Sequence, residues 1–275
     1  MKQFSFFILF ATLAFFKVHA QDELSYLKTN AVRINNPELL NDSVYNLLSP
    51  FQVIMFGEMH GTNESAPFVK GLTKLFTDKG DSVMVGLEIP PSLMTKFLSL
   101  HTDSSIYQSE FFSSPAVSGK ESLPWASLIS ALNKNPKVEV FFFDLDESDG
   151  KTYSRDSLMA MKIKKQYSRH PSWKMITLSG NYHNRITNPS SMTSVLKRNI
   201  KAKVCSLNME YKEGSAFANF THGMEIKELG SYPSVFNSTD GYDRYLMLQP
   251  PDKYYDYNGF YFTKTISPAK MTKAN

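Results

Sequence analysis

Gln52-Val-Ile-Met-Phe-Gly-Glu-Met-His-Gly61 joins an apolar run of strand length to a turn that carries Glu58 and His60. The run is continuously apolar rather than alternating, which is the pattern of a strand covered on both faces. Ser65 to Thr77 follows with Phe68, Val69, Leu72, Leu75 and Phe76 at helical spacing on one face. Strand, polar turn and amphipathic helix make half of a βαβ unit, and the same order recurs along the chain. Ser82 to Leu87 reads as a second strand, running into Glu88-Ile89-Pro90 and a helical segment from Pro91 to Leu100. A helix over Trp125 to Asn133 precedes the strand Val138 to Phe143, which ends in Asp144-Leu145-Asp146. A helix over Arg155 to Ser168 leads to the strand Met175 to Leu178, then Ser179-Gly-Asn-Tyr-His183 and a short helix near Met192 to Arg198. The fold class is therefore α/β, a single domain over residues 21–275 with a mostly parallel sheet flanked by helices. Closely spaced strands follow at Val204 to Met209, Ala216 to Phe220, Met224 to Leu229, Tyr245 to Leu248 and Gly259 to Phe262. They are expected as extra edge strands in the C-terminal third.

Composition narrows the function classes. Hydrophobic residues are 42% and charged residues 20% of 275, enough for a large core and unlike a disordered, fibrous or disulfide-stapled chain. A net charge of +4 from scattered Lys and Arg gives no basic patch, so nucleic acid and anionic membrane are not expected partners. Residues 1–20 have a positive start at Lys2, an apolar stretch from Phe4 to Phe16, and Val18-His19-Ala20 before Gln21, the anatomy of a cleaved secretory signal. A secreted or periplasmic protein with no stable membrane anchor after cleavage is expected, near neutral once Lys2 and Lys17 are gone. Cys205 is the sole cysteine, so no intrachain disulfide forms, and its apolar setting reads as a buried structural thiol. Asn63-Glu-Ser65, Asn219-Phe-Thr221 and Asn237-Ser-Thr239 are glycosylation sequons that matter only in a eukaryotic host.

In open α/β sheets ligands bind beyond the carboxyl ends of the strands. If the first four strands are parallel, Glu58, His60, Glu88, Asp144 or Asp146, and His183 meet on one edge. Two imidazoles with carboxylates suit water activation. They can hold Zn, Mn or Fe with a position open for water, or act without metal as a general base with a carboxylate orienting a histidine. Glu58, His60, Glu88 and His183 are the candidates for catalysis and equally for metal binding. Bland readings stand beside them. Glu88 suits a helix N-terminus, Asp144 and Asp146 suit turns, and Arg155-Asp156 suits an ordinary helix start. Glu64 is a helix-start residue that lies close to His60, and residues 101–122 read as a polar insertion near a cleft. His101, His170 and His222 sit in polar surroundings as surface histidines. The Tyr254-Tyr255 and Tyr257 cluster packs around the last strand or lines a pocket.

The ordered series VIMFGEMHGTNES, VMVGLEIP, VEVFFFDLDE, SRDSLMAMKI and ITLSGNYH, closed by Tyr255-Asp-Tyr-Asn-Gly-Phe-Tyr-Phe262, resembles the superfamily of erythromycin esterases, ChaN-type haem-binding proteins and TraB/Tiki proteins. The resemblance runs from about residue 50 to the end of the chain. It implies a shared site at Glu58, His60, Glu88 and His183. For the esterase branch it implies water activation for ester cleavage, and for the Tiki branch metal-dependent proteolysis through GEMH and GNYH. The ChaN-type alternative is a non-catalytic haem or iron-binding protein of an uptake system, with Tyr182 as a cofactor-binding residue. The chain departs from the esterases where a second late histidine stands, which is Gly180 here, and from lipidated ChaN-type proteins in having no signal-peptide cysteine. The expected function is an exported hydrolase of a small-molecule or peptide substrate, cleaving an ester or amide.

Overall fold

A computed structural model describes residues 25–100, 102–113, 118–150, 152–220, 223–230, 242–250 and 255–271. The signal sequence at 1–20, the Asn237 sequon, His101, His222 and Tyr254 lie outside the described residues. Among the described residues, one sheet of nine strands organises the fold. The strands are β1 (Val32–Arg33), β2 (Val53–Glu58), β3 (Val83–Leu87), β4 (Val138–Phe142), β5 (Lys174–Gly180), β6 (Val204–Phe220), β7 (Gly223–Leu229), β8 (Arg244–Leu248) and β9 (Gly259–Ile266). Their order is β1-β8-β9-β6-β2-β5-β3-β4, with β7 paired to the far part of β6.

The pairs β2–β5, β2–β6, β3–β4, β3–β5 and β6–β9 are parallel. The pairs β1–β8, β8–β9 and β6–β7 are antiparallel. Helices cover both faces of the parallel part, which explains its apolar strands. On one face Ile54, Phe56, Val85, Leu87, Ile176 and Leu178 pack under the helices Ser65–Asp78 and Leu123–Asn133. Alternate residues Val53, Met55, Met84 and Met175 meet the helices Arg155–Tyr167 and Met192–Asn199 on the other. Each fully buried side chain of this kind contributes about 1.5–3 kcal/mol. The helix Ser65–Asp78 is also pinned by Phe68, whose ring stacks on Tyr261 of β9 with centroids 4.3 Å apart.

The C-terminal third differs from its sequence reading. Val204 to Met209 and Ala216 to Phe220 are two parts of one 17-residue strand, and its first part is central, between β2 and β9. The polar stretch Tyr211-Lys-Glu-Gly214 hid that continuity. Here the strand runs on past the parallel core, so its side chains no longer need to be apolar on both sides. A second difference is β1, a two-residue strand that closes the far edge against β8 and carries too short a pattern to read.

Gly61 ends the turn after β2 with φ +76°, and a Cβ there would lie 1.7 Å from the Phe217 carbonyl oxygen. Its own carbonyl accepts from the Phe217 and Ala269 amides. Gly61→Ala is therefore expected to cost at least about 1–3 kcal/mol from the left-handed conformation and the overlap with backbone. A thermal melt of the variant checks this, and an unchanged melting temperature would refute it.

Candidate functional site

The strand order places β5 between β2 and β3, with β4 beyond β3, so the turns after all four converge at one edge. Glu58 closes β2, and its buried carboxylate accepts at Oε1 from His60 Nδ1 at 2.7 Å and from the Trp125 indole at 3.2 Å. A carboxylate only accepts, so His60 carries its proton on Nδ1 and presents the lone pair of Nε2 to the cleft. Burial pushes the Glu58 carboxyl up, with the His60 hydrogen bond opposing it. Burial acts to lower the His60 pKa, but the Glu58 hydrogen bond and the charges of Glu88 and Glu58 outweigh it and leave the imidazole above its ordinary value.

Glu88, just beyond β3, is buried at the centre of the site. Its Oε2 accepts from the Gly180 amide at 2.7 Å and lies 3.7 Å from His60 Nε2. Its Oε1 meets Arg155 Nη2 at 2.6 Å, Lys120 Nζ at 3.2 Å and His183 Nε2 at 3.9 Å. Burial acts to raise the Glu88 pKa, but Lys120, His60, His183 and Arg155 hold the carboxyl far below the usual carboxylate range. Glu88 is thus an ion-pair centre here, with no role as a helix cap. Asp144, beyond β4, completes the pairing by accepting from Arg155 Nε at 3.0 Å and from Lys120 at 3.2 Å. Asp146 points elsewhere, accepting from the Ser92 amide.

His183 forms the second imidazole–carboxylate unit. Its Nδ1 donates to Asp156 Oδ1 at 2.6 Å, while Asp156 Oδ2 accepts from the Met192 amide at the start of the helix Met192–Asn199. Nε2 of His183 then faces Arg155 Nη1 at 3.3 Å. Arg155 and Asp156 are the first residues of a helix capped by Ser154, so a local capping device aims both into the site. Their reading as an ordinary helix start captured the helix and missed their contacts. Lys120 and Trp125 also escaped the sequence reading. Lys120 arrives through Gly119, at φ +81°, whose Cα would place a Cβ 2.7 Å from the Gly61 amide nitrogen. Lys120 stands between Ser118-Gly119 and Glu121-Ser122, so its neighbours gave no sign of its burial.

A cavity of about 410 Å³ opens over this set, bordered also by Gly180, Tyr182 and Asn219. At Gly180, a Cβ would lie 3.0 Å from His60 Nε2, so the glycine leaves open the space beside that nitrogen. Tyr182 is 64% exposed, with Arg185 over its ring at 4.5 Å. Other residues lie away from the cavity. Glu64 accepts from Ser267, His170 stacks on Trp173, and Cys205 is buried with its thiol pushed far up by desolvation.

The residues do not fit a divalent cation. Among the described residues no group of three or more His, Cys, Asp or Glu side chains is arranged to hold a metal ion. The place between Glu88 and His183 is taken by the Arg155 guanidinium, with the Lys120 ammonium alongside. A divalent cation there would meet these two like charges at contact range in a low-dielectric setting. Glu58, expected among the ligands, is fixed by His60 Nδ1 and Trp125, both through Oε1.

Fold and site edge together define an α/β protein whose fold is shared with solved structures of low sequence identity. The particular likenesses are to a Bacillus cereus protein, to a succinoglycan biosynthesis protein, and to a mutant of erythromycin esterase EreC in its open conformation. The Bacillus cereus protein aligns at TM-score 0.63 and 11% identity, covering 92% of this chain and 99% of its own. The succinoglycan biosynthesis protein aligns at TM-score 0.63 and 10% identity, covering 92% and 98%. The esterase aligns at TM-score 0.62 and 10% identity, covering 86% and 97%. No protein-family model and no curated protein matches the chain. No helix among the described residues is long and apolar enough to cross a membrane.

Proposed function

We propose that the protein is an exported hydrolase that cleaves an ester or amide by metal-free general-base activation of water. The observation that carries this is the pair of carboxylate–imidazole units, Glu58–His60 and Asp156–His183, facing one cavity across Glu88. His60 Nε2 takes a proton from water as the water oxygen bonds to the substrate carbonyl carbon. Glu58 holds Nδ1–H and stabilises the imidazolium that forms, the role such a carboxylate plays in hydrolytic triads. Lys120 and Arg155 lie where negative charge on the carbonyl oxygen is stabilised. The His60 imidazolium returns this proton to the leaving oxygen or nitrogen as its bond to carbon breaks, while His183, held by Asp156, accepts from Arg155 and positions that guanidinium. The esterase with the same fold supports this reaction class as an analogy only.

A panel of aryl and alkyl esters and peptides, assayed in the presence of a chelator, tests the reading. Turnover that survives chelation and falls by about 100-fold or more in His60→Gln is expected. Chelator-sensitive turnover with stoichiometric Zn, Mn or Fe in the protein would instead support the metal reading, and a Soret band on hemin titration lost in Tyr182→Phe would support haem binding.

A further inference from the structure

A second cavity of about 290 Å³ adjoins the first, with Met59, Asn181 and Tyr182 on both rims. The mechanism uses none of its remaining walls, which include Asn208, Glu210, Tyr211, Gln249, Tyr255 and Tyr257. Asn208 and Glu210 stand two apart on β6 and so project from one face of the sheet. That face is the one on which their β9 partners Phe260 and Phe262 pack with Tyr245. Glu210 receives a hydrogen bond from Asn208, and burial pushes its carboxyl up to about 7. Arg185 also lines the cavity; its Nε lies 3.7 Å from Asp256 without a hydrogen bond, and its guanidinium packs over the Tyr182 ring. Asn208 Oδ1 and Gln249 Oε1 are buried acceptors without a hydrogen-bond partner. A half-buried carboxylate and spare acceptors among tyrosine rings favour a ligand that brings positive charge and donors, since aromatic faces attract organic cations and an ion beside Glu210 offsets its desolvation.

We infer that this second cavity is a subsite for an organic ammonium group, recognised by Glu210 and by Tyr255 and Tyr257 of the segment between β8 and β9. It rests on the hydrolase reading, to which it adds the substrate class: an ester or amide bearing a protonated amine on the part that lies away from the scissile bond. The shared rim at Met59, Asn181 and Tyr182 lets one molecule span both cavities.

The test is calorimetric titration of the full mature chain, at about pH 8 so that Glu210 is ionised, with choline and with its uncharged isostere 3,3-dimethyl-1-butanol. Choline is expected to bind at least about tenfold more tightly than the isostere, and Glu210→Gln is expected to abolish that preference. Equal binding of the two, no choline binding, or a preference that survives Glu210→Gln would overturn the assignment. The wild-type comparison stands even if the variant fails to fold. Binding is read without turnover, so the two readings fail separately. Choline preference in a protein inactive on every ester and peptide sinks the hydrolase alone, and ester turnover without choline preference sinks the subsite alone.

Discussion

Glu58→Gln is expected to lower kcat by about 10³–10⁴-fold, with the fold retained, because it removes the acceptor that fixes the His60 tautomer. The amide replaces a carboxylate that takes the Nδ1 proton at 2.7 Å. A glutamine presenting its NH₂ to Nδ1 would favour the wrong tautomer, placing the proton on Nε2, where the lone pair is needed. The variant also loses the charge that stabilises an imidazolium. Stability should suffer little, since burial penalises the Glu58 carboxylate and an uncharged side chain of equal size removes that penalty. The pH profile gives a second readout. General-base activity needs neutral His60, so wild-type kcat/KM rises with pH through a value above the ordinary 6.5. Removing Glu58 removes the leading contribution that raises this pKa, so the acidic limb of the residual activity should move to lower pH. A variant with near-normal kcat, or with an unmoved acidic limb, would show that His60 is not the base.

Glu88→Gln should behave oppositely, with its first cost in stability, about 3–5 kcal/mol in a denaturant titration. Removing one partner of a buried pair leaves Lys120, itself 6% exposed, without the carboxylate 3.2 Å away, and deprives Arg155 of its 2.6 Å contact. Asp144 alone then serves both cations. The sign of the pH dependence follows from the direction of the Glu88 shift. Its pKa in the folded protein lies below the ordinary 4.5, so its stabilisation is present in full above about that pH and is lost as pH falls toward the folded value. Wild type and variant should therefore differ most near neutrality and converge in acid. A double-mutant cycle sharpens the test, because Lys120→Met should reduce the cost of Glu88→Gln by relieving one stranded charge. A denaturation free energy within about 0.5 kcal/mol of wild type near neutrality would refute the ion-pair centre.

Much of the architecture was legible because the physics that specifies it is local. Continuous apolar runs at Val53, Val83, Val138 and Met175 required two-sided burial, and the helical spacing after Gly61 required one buried face. With parallel strands assumed, Glu58, His60, Glu88 and His183 fell at one edge, and the structure brings those four together. Asp144 and Asp146, equivalent in sequence, are separated by the single residue Leu145: one reaches Arg155 and the other accepts from the Ser92 amide beyond the Pro90 turn.

Sequence by itself determined the order of β2 to β5, the helices Ser65–Asp78, Leu123–Asn133 and Arg155–Tyr167 between them, and the acid and imidazole residues that follow those strands, since each follows from periodicity or from position after a strand. Only tertiary structure decided that β5 lies between β2 and β3, that β6 is central and continuous, and that Lys120, Trp125, Arg155 and Asp156 join the site. The physical reason is that an ion pair or an indole–carboxylate contact depends on which distant elements become neighbours, and short-range patterning carries no record of that. It also decided the chemistry of Glu88. A carboxylate after a strand suits a metal ligand, a cap or a base equally well, and the two cations packed against it make it an ion-pair centre.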